Sequence, residues 1–386
     1  MTHPCTLAVY IHWPFCLSKC PYCDFNSHVR EEVDIAAWKN AYARQLSAYA
    51  ERTGPRRVTS VFFGGGTPSL MPPVLVEAII ETVIACWDID PGVEITLEAN
   101  PAVVDRQRFE GFAAAGVNRV SIGVQSFDNA ALAFLERGHS GEDARRAVEL
   151  ASRLFGRFSF DLIYALPEQT VATWRHQMDN ALVLADGHLS LYQLTIEPGT
   201  AFHSAWRRGK LMVPDEDAAG ALFETTQEVM EAGGLPAYEI SNHARPGDES
   251  RHNLTYWRYG DYIGIGPGAH GRFQINEIRH GTRHHHMPEV WLDQALNGVS
   301  PMAPEQGSSI IGDAEARLEA VMMGLRTVEG VSLAMTGVPG EPESPMDAEV
   351  VMDLTGKGLL TCDSERLRAT ATGRQRLNAI LAAILR

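Results

Sequence analysis

Cysteine is scarce: the chain has six among 386 residues, and three of them, Cys16, Cys20 and Cys23, fall within eight positions. No second C-x2-C pair exists, so a closed four-ligand zinc site built from two separated pairs is excluded. Cys5, Cys86 and Cys362 lie far from the triad and from one another, which excludes a disulfide framework. Apolar runs of roughly 18 residues are absent, so no membrane-spanning helix is expected. Basic residues are in deficit, 33 Lys and Arg against 48 Asp and Glu, for a net charge of −15. A surface that acidic repels phosphate backbones and disfavours nucleic acid as a partner. Met1-Thr2-His3-Pro4-Cys5 has neither a basic n-region nor an apolar h-region, so no secretory signal is expected. The expected compartment is the cytoplasm, where thiols stay reduced.

Hydrophobic residues make up 45% of the chain, ample for a large core. Strand-like segments near 7–12, 58–63, 94–99, 119–125, 158–164 and 189–196 alternate with amphipathic ones near 34–52, 73–86, 104–115, 141–154, 171–185 and 216–232. That alternation predicts an α/β fold with a parallel sheet and helices outside, a partial (β/α)6 TIM-like barrel. A doubly wound open sheet is the alternative. Unusual polar residues gather at the carboxyl ends of the strands, where active sites of parallel α/β folds lie. The cysteine loop follows the first strand and Gly64-Gly65-Gly66-Thr67-Pro68-Ser69 the second. Glu98-Ala99-Asn100-Pro101 ends the third, Gln125-Ser126-Phe127 ends the fourth, and Asp161 lies within the fifth.

The cysteines stand in a C-x3-C-x2-C spacing on a loop, since Pro14 and Pro21 both break regular structure. Three thiols suit an iron–sulfur centre with one iron left open, because an ordinary 4Fe-4S cluster takes four. The glycine run lets backbone approach a ligand closely, or simply makes a tight strand-to-helix turn. It is no phosphate-binding P-loop, because no Gly-Lys-Ser/Thr follows.

C-x3-C-x2-C after a strand, with Tyr22 before the last cysteine, resembles the radical S-adenosylmethionine superfamily. The wider string Tyr10-Ile11-His12-Trp13-Pro14-Phe15-Cys16 resembles its coproporphyrinogen-oxidase-like branch. The resemblance implies a 4Fe-4S cluster on Cys16, Cys20 and Cys23, with S-adenosyl-L-methionine chelating the open iron and an external electron donor for the cluster. It also implies that Tyr10, Tyr22, Gly65, Gly66, Thr67, Glu98, Gln125, Arg137 and Asp161 match S-adenosylmethionine-binding positions. Part of that set, Gln125, Arg137 and Asp161 among it, serves a second S-adenosylmethionine in the oxidase. Read from local chemistry alone, Glu98 is equally a strand-end salt bridge and Arg137 a solvated helix-end charge.

Further along, Ala237–His243 reads as a strand, and Gly264–Gly271 as a close-packed loop across the barrel mouth with Ile265 against the adenine. Gly264-x-Gly266-x-Gly268 has the wrong spacing for a dinucleotide fold and carries Pro267. His280–His286 reads as a solvated polar loop. His252, in His252-Asn253-Leu254-Thr255-Tyr256-Trp257, is on its own a structural histidine or a haem ligand. The same string resembles the motif of haem chaperones related to the oxidase, which implies haem binding at His252. Residues 1–290 are expected to form the barrel with cluster and cofactor site. Residues 300–312 read as a linker, and 300–386 as a small α+β, winged-helix-like C-terminal unit. A winged helix invites a DNA-binding reading, but the unit is not basic.

Two functions follow from the resemblance. One is a haem chaperone that binds haem and delivers it to acceptor proteins. The other is an oxygen-independent coproporphyrinogen III oxidase, an enzyme of porphyrin biosynthesis. Three departures favour the chaperone: Phe25 stands where the oxidase has a fourth cysteine, the first strand starts near residue 7 with no longer segment ahead of it, and the His252–Trp257 string belongs to the chaperone-like group. The family further suggests a homodimer stabilised by cluster loading. A plain metal-binding module is a third reading, but it leaves the glycine run and the strand-end polar residues unexplained.

Overall fold

Strand and helix alternate six times: β1 (Thr6–Trp13), α1 (Ile35–Thr53), β2 (Arg57–Gly65), α2 (Pro73–Cys86), β3 (Asp88–Ala99), α3 (Arg106–Ala114), β4 (Arg119–Gln125), α4 (Gly141–Leu154), β5 (Arg157–Tyr164), α5 (Val171–Leu184), β6 (His188–Gln193) and α6 (Glu216–Ala232). The computed structural model describes residues 6–303 and 307–385, so Cys5 and residues 304–306 of the expected linker lie outside it. Helix starts follow local chemistry. Asp34, Asp105, Thr170 and Asp215 each accept a backbone N–H with the side chain, and Ser140 with Asp143 forms a capping box.

β1 through β6 are neighbours in order and all parallel. On β1 the outward residues Leu7, Val9, Ile11 and Trp13 are buried in one core cluster with Trp38, Tyr42 and Tyr49 of α1. Each such aliphatic burial stabilises by about 1.5–3 kcal/mol. Tyr10 and His12, of opposite parity, face inward. The sheet continues beyond the six strands on both sides. Asn242–Ala244 pairs antiparallel with β6. On the other edge Tyr262–Ile265 runs parallel to β1, followed by the antiparallel strands His270–Ile275, Ile278–Arg283 and Ser309–Ile311. The result is an open, largely parallel eleven-stranded sheet, a partial barrel.

Four expectations change here. The first unit does not stop at 290, because Ser309–Ile311 is its edge strand and helix Pro288–Leu296 packs Trp291 on Trp38 with centroids 5.3 Å apart. The sheet of the first unit therefore runs on to Ile311. Gly264–Gly271 is not simply a loop, and the histidine tract is not simply solvated. Strand Tyr262–Ile265 holds the first, while His284 is buried against Tyr49 and the Gly264 carbonyl. In the fourth, Ala237–His243 shrinks to isolated bridges and the short strand Asn242–Ala244.

The C-terminal unit holds helix Asp313–Gly324 and a three-stranded antiparallel sheet of Val331–Ser332, Arg366–Ala369 and Leu360–Cys362. Helices Ala348–Gly356, Ala371–Gln375 and Leu377–Ile384 complete it. Its own core includes Val321, Leu325, Leu367 and Ile384. Contacts with the barrel run through Thr327, bridged to Glu239, and through Val328 N–H, which donates to the Tyr238 carbonyl at 3.1 Å.

Candidate functional site

The cysteine loop leaves β1 and returns under the turn that follows β2. Gly66 N–H donates to the Trp13 carbonyl at 2.8 Å and Thr67 N–H to the Phe15 carbonyl at 2.9 Å. The two loops pack so closely that side chains are excluded. A Cβ on Gly66 would lie 2.9 Å from the Phe15 carbonyl oxygen and 3.0 Å from the Cys16 sulfur. Gly65 has φ +117°, and a Cβ there would come within 2.6 Å of the His12 ring. The Gly65 amide donates to Glu98 Oε2 at 3.2 Å. Both amides are thus used within the protein, and a ligand would meet carbonyl oxygens at these two residues.

Cys16, Cys20 and Cys23 are free thiols. Thr67 Oγ1 donates to the Cys16 sulfur at 3.3 Å, and Arg137 Nη1 to the Cys20 sulfur at 3.4 Å. Burial raises the Cys16 pKa; the Thr67 hydroxyl lowers it, and the Cys23 and Cys20 thiols, close enough to be felt, raise it further. Arg137 Nη2 is fixed on the Gly123 carbonyl at 2.9 Å, and its buried Nε has no partner in the protein. Among the described residues no group of three His, Cys, Asp or Glu side chains is arranged about one point that could hold a metal ion.

Glu98, near the end of β3, and Asp161, within β5, face the same hollow. Burial, then the Asp161 charge, pushes Glu98 up to about 8, against the pull of the Gly65 amide. Burial pushes Asp161 to about 6, restrained by hydrogen bonds from Ser190 and Ser121 and by the charges of Arg119 and Arg137. Gln125 ends β4 with φ +66°, a left-handed conformation that costs about 1–2 kcal/mol in a non-glycine residue. Tyr22 lies half-buried against Phe202, and the Phe202 amide donates to the Pro21 carbonyl at 2.9 Å.

The structure thus brings the three cysteines, Gly65, Gly66, Thr67, Glu98, Gln125, Arg137 and Asp161 to one mouth, with Tyr22 beside them and Tyr10 at the barrel floor. It does not bring Ile265. That residue pairs in register with Ile11 and shares its outward parity, and its side chain is 0% exposed in the core beneath α1. His252 lines the smaller hollow below the mouth, together with Tyr10, Glu98 and Asp161. It is 1% exposed on the barrel floor, with Nδ1 on Ser60 Oγ at 2.8 Å and Nε2 on Tyr256 OH at 2.5 Å. Its ring stacks on Phe62, and burial holds its pKa down to about 3. Both ring nitrogens are engaged in hydrogen bonds in this conformation.

His12 and Asn26 escaped sequence reasoning. Tyr10 OH donates to His12 Nδ1 at 3.0 Å, and His12 Nε2 donates to the Asn26 carbonyl at 2.9 Å. Asn26 Nδ2 donates in turn to the carbonyls of Pro267 and His286, at 2.9 and 2.8 Å. This chain ties β1, the cysteine loop and the last loops of the sheet together. Its only signal in the sequence was the position of His12 and Asn26 on either side of the cysteines.

Residues 10–179 match the family model of the radical SAM superfamily, and residues 313–376 match that of the HemN C-terminal domain. The mitochondrial radical S-adenosyl methionine domain-containing protein 1 of Bos taurus is 38% identical, covering 98% of this chain and 87% of its own length. The chain belongs to the radical SAM superfamily. The heme chaperone HemW of Escherichia coli is 43% identical over 71% of this chain and 72% of its own. That of Synechocystis is 36% identical over 91% and 84%. The solved structure of coproporphyrinogen III oxidase (HemN) from Escherichia coli superposes with a TM-score of 0.79 at 20% identity, covering 99% of this chain and 90% of its own, which shows the shared fold. Within the superfamily the chain lies in the HemN-like branch, close to HemW. Membership implies a 4Fe-4S cluster and S-adenosylmethionine. The residues present fit both: three free thiols over a glycine cradle, an unpartnered Arg137 nitrogen beside them, and two carboxyls poised to meet a cation.

Proposed function

We propose that this chain is a haem chaperone: it binds haem and passes it to acceptor proteins. The observation that carries the reading is the similarity, at 36 and 43% identity over most of the chain, to proteins named heme chaperone HemW. Cys16, Cys20 and Cys23 would hold the 4Fe-4S cluster, with the Thr67 hydroxyl and the Arg137 guanidinium donating to its thiolates. Gly65, Gly66, Glu98, Gln125, Asp161, Tyr22 and Tyr10 would frame S-adenosylmethionine. When bound, the pair supplies one-electron reductive cleavage of a sulfonium bond.

The chain's own residues do the remaining work. Glu98, held protonated near neutral pH by burial, gives up its proton as an ammonium or sulfonium group arrives. Arg137 keeps the cysteine loop charge-balanced. The Tyr10–His12–Asn26 chain fixes the loop over the barrel and shields it from water. A soluble reductant would supply the electron, and a dimer favoured by cluster loading belongs to the same proposal. The five described cysteines are all free, which suits a reducing compartment, and we take it to be the cytoplasm. The oxidase reading has the shared fold behind it, while Phe25 stands at its fourth cysteine position.

Mixing the haem-loaded protein with an apo-haemoprotein acceptor tests the reading. The acceptor's haem spectrum is expected to appear faster than from free haem and in stoichiometric yield. Haem that never binds, or never leaves, contradicts it.

A further inference from the structure

A cavity of about 1140 Å³ lies between the strand ends of the barrel and the C-terminal unit. It is ample for a cofactor-sized molecule, pockets for which run to ~1,000 Å³. Its walls differ in character. Phe25, Leu194, Phe223 and Ile240 supply apolar surface, while Glu98 and Asp161 lie on the barrel side. Phe25, a large apolar residue on that wall, is 61% exposed.

The C-terminal unit contributes Arg326, Arg374 and Arg376 to the same cavity. Among the described residues none of the three has a carboxylate within ion-pair distance. Other arginines do carry such a partner, as Arg157 does Glu94 and Arg272 does Glu319. Glu216, Asp217 and Glu224 line the cavity too, yet Glu224 accepts from Gln375 Nε2 at 3.2 Å instead. That bond and the one from Gln375 to the Gly220 carbonyl, also 3.2 Å, fasten the arginine-bearing segment to α6. Arg374 is itself anchored by donation to the Ala369 carbonyl at 3.4 Å, which sets its position without neutralising its charge.

We propose that Arg326, Arg374 and Arg376 form the carboxylate-binding wall of a cargo site, with the apolar wall opposite taking the face of a planar macrocycle. The proposal rests on the haem-chaperone reading, and it assigns the propionates of haem to these arginines. Arginine suits the task because its planar fork meets a carboxylate with two parallel hydrogen bonds. The orientation follows: propionates point to the C-terminal unit, and the opposite edge of the macrocycle points to the cysteine loop.

The test is a spectroscopic titration of the full-length, cluster-loaded protein with haem and with haem dimethyl ester, whose propionates carry no charge. Wild type is compared with R326Q/R374Q/R376Q and with the charge-keeping R326K/R374K/R376K. The glutamine variant is expected to bind haem about tenfold or more weakly, as loss of charge-assisted hydrogen bonds predicts. The lysine variant should recover most of the affinity. The ester should bind wild type and glutamine variant equally, and as weakly as the variant binds haem. Equal haem affinity of wild type and glutamine variant, or tight ester binding by wild type, overturns the carboxylate wall while leaving the chaperone reading intact. Absence of haem binding by wild type overturns both. S-adenosylmethionine affinity is expected to stay the same in the glutamine variant; if it falls while haem affinity holds, the arginines serve the amino-acid carboxylate and the proposal fails. The lysine variant and a thermal melt of each protein separate lost charge from lost folding.

Discussion

Glu98 is the residue whose chemistry is most exposed to measurement. Its carboxyl rises from an ordinary 4.5 to about 8 in the folded, ligand-free chain, chiefly by burial. A raised acid stabilises the fold fully below its unfolded pKa, and that contribution is lost as pH climbs through the folded one. The melting temperature of the ligand-free protein is therefore expected to fall between about pH 4.5 and pH 8, and E98Q is expected to flatten that slope. The same variant should abolish proton release on S-adenosylmethionine binding near pH 7, read by calorimetry in two buffers of different ionisation enthalpy. Thr67 and Arg137 make a second residue-scale case. Both donate to cysteine sulfurs, and a donor or positive charge there favours the reduced cluster. T67V and R137L are each expected to shift the cluster potential to more negative values, with the larger shift for Arg137 because it carries charge. Potentiometric titration followed by electron spin resonance reads this directly; an unchanged potential in both would remove them from the cluster's surroundings.

Among the elements, the turn after β2 is held by what its glycines lack. G66A drives a Cβ to 2.9 Å from backbone atoms of the cysteine loop, which cannot move aside cheaply. A loss of about 1–3 kcal/mol in stability and a lower iron content after reconstitution are expected, checked by chemical denaturation and iron assay. Helix Arg251–Trp257 gives the other element-scale prediction. His252 binds Ser60 and Tyr256 at once and stacks on Phe62. H252A leaves those hydroxyls unpaired in a buried floor, at a cost of about 2–3 kcal/mol visible in the denaturation midpoint. The six strands and six helices were legible in the sequence because each strand is an apolar run and each helix repeats at its own period. Arg251–Trp257 was not, since it has only seven residues and its identity depends on Glu94, distant in sequence, accepting from the amides of Arg251 and His252. The hairpin of His270–Ile275 and Ile278–Arg283 was masked by a composition of His, Arg and Gly. Its turn, Asn276 and Glu277 with φ of 49° and 66°, lacks the usual glycine. The polar strand ends that mark the mouth were legible residue by residue. Ile265 was misread because its parity is fixed by pairing with β1, a partner some 250 positions away that no local pattern reveals.

At the scale of the whole molecule, the barrel supplies the cluster mouth and the C-terminal unit closes a large cavity over it. No helix among the described residues is long and apolar enough to cross a membrane. That leaves a mouth with a ring of acceptors on one side, an apolar face, and arginines on the other. On the proposal made above, such a site would hold an amphipathic macrocycle beside the cysteine loop. The carrier and oxidase readings predict different outcomes at that one place. The measurement that decides it uses anaerobically reconstituted protein with S-adenosylmethionine and reductant, given haem in one arm and coproporphyrinogen III in the other. Stoichiometric haem binding with no decarboxylated product is the predicted result. Steady formation of protoporphyrinogen with weak haem binding would contradict the account and make the chain an oxidase despite Phe25.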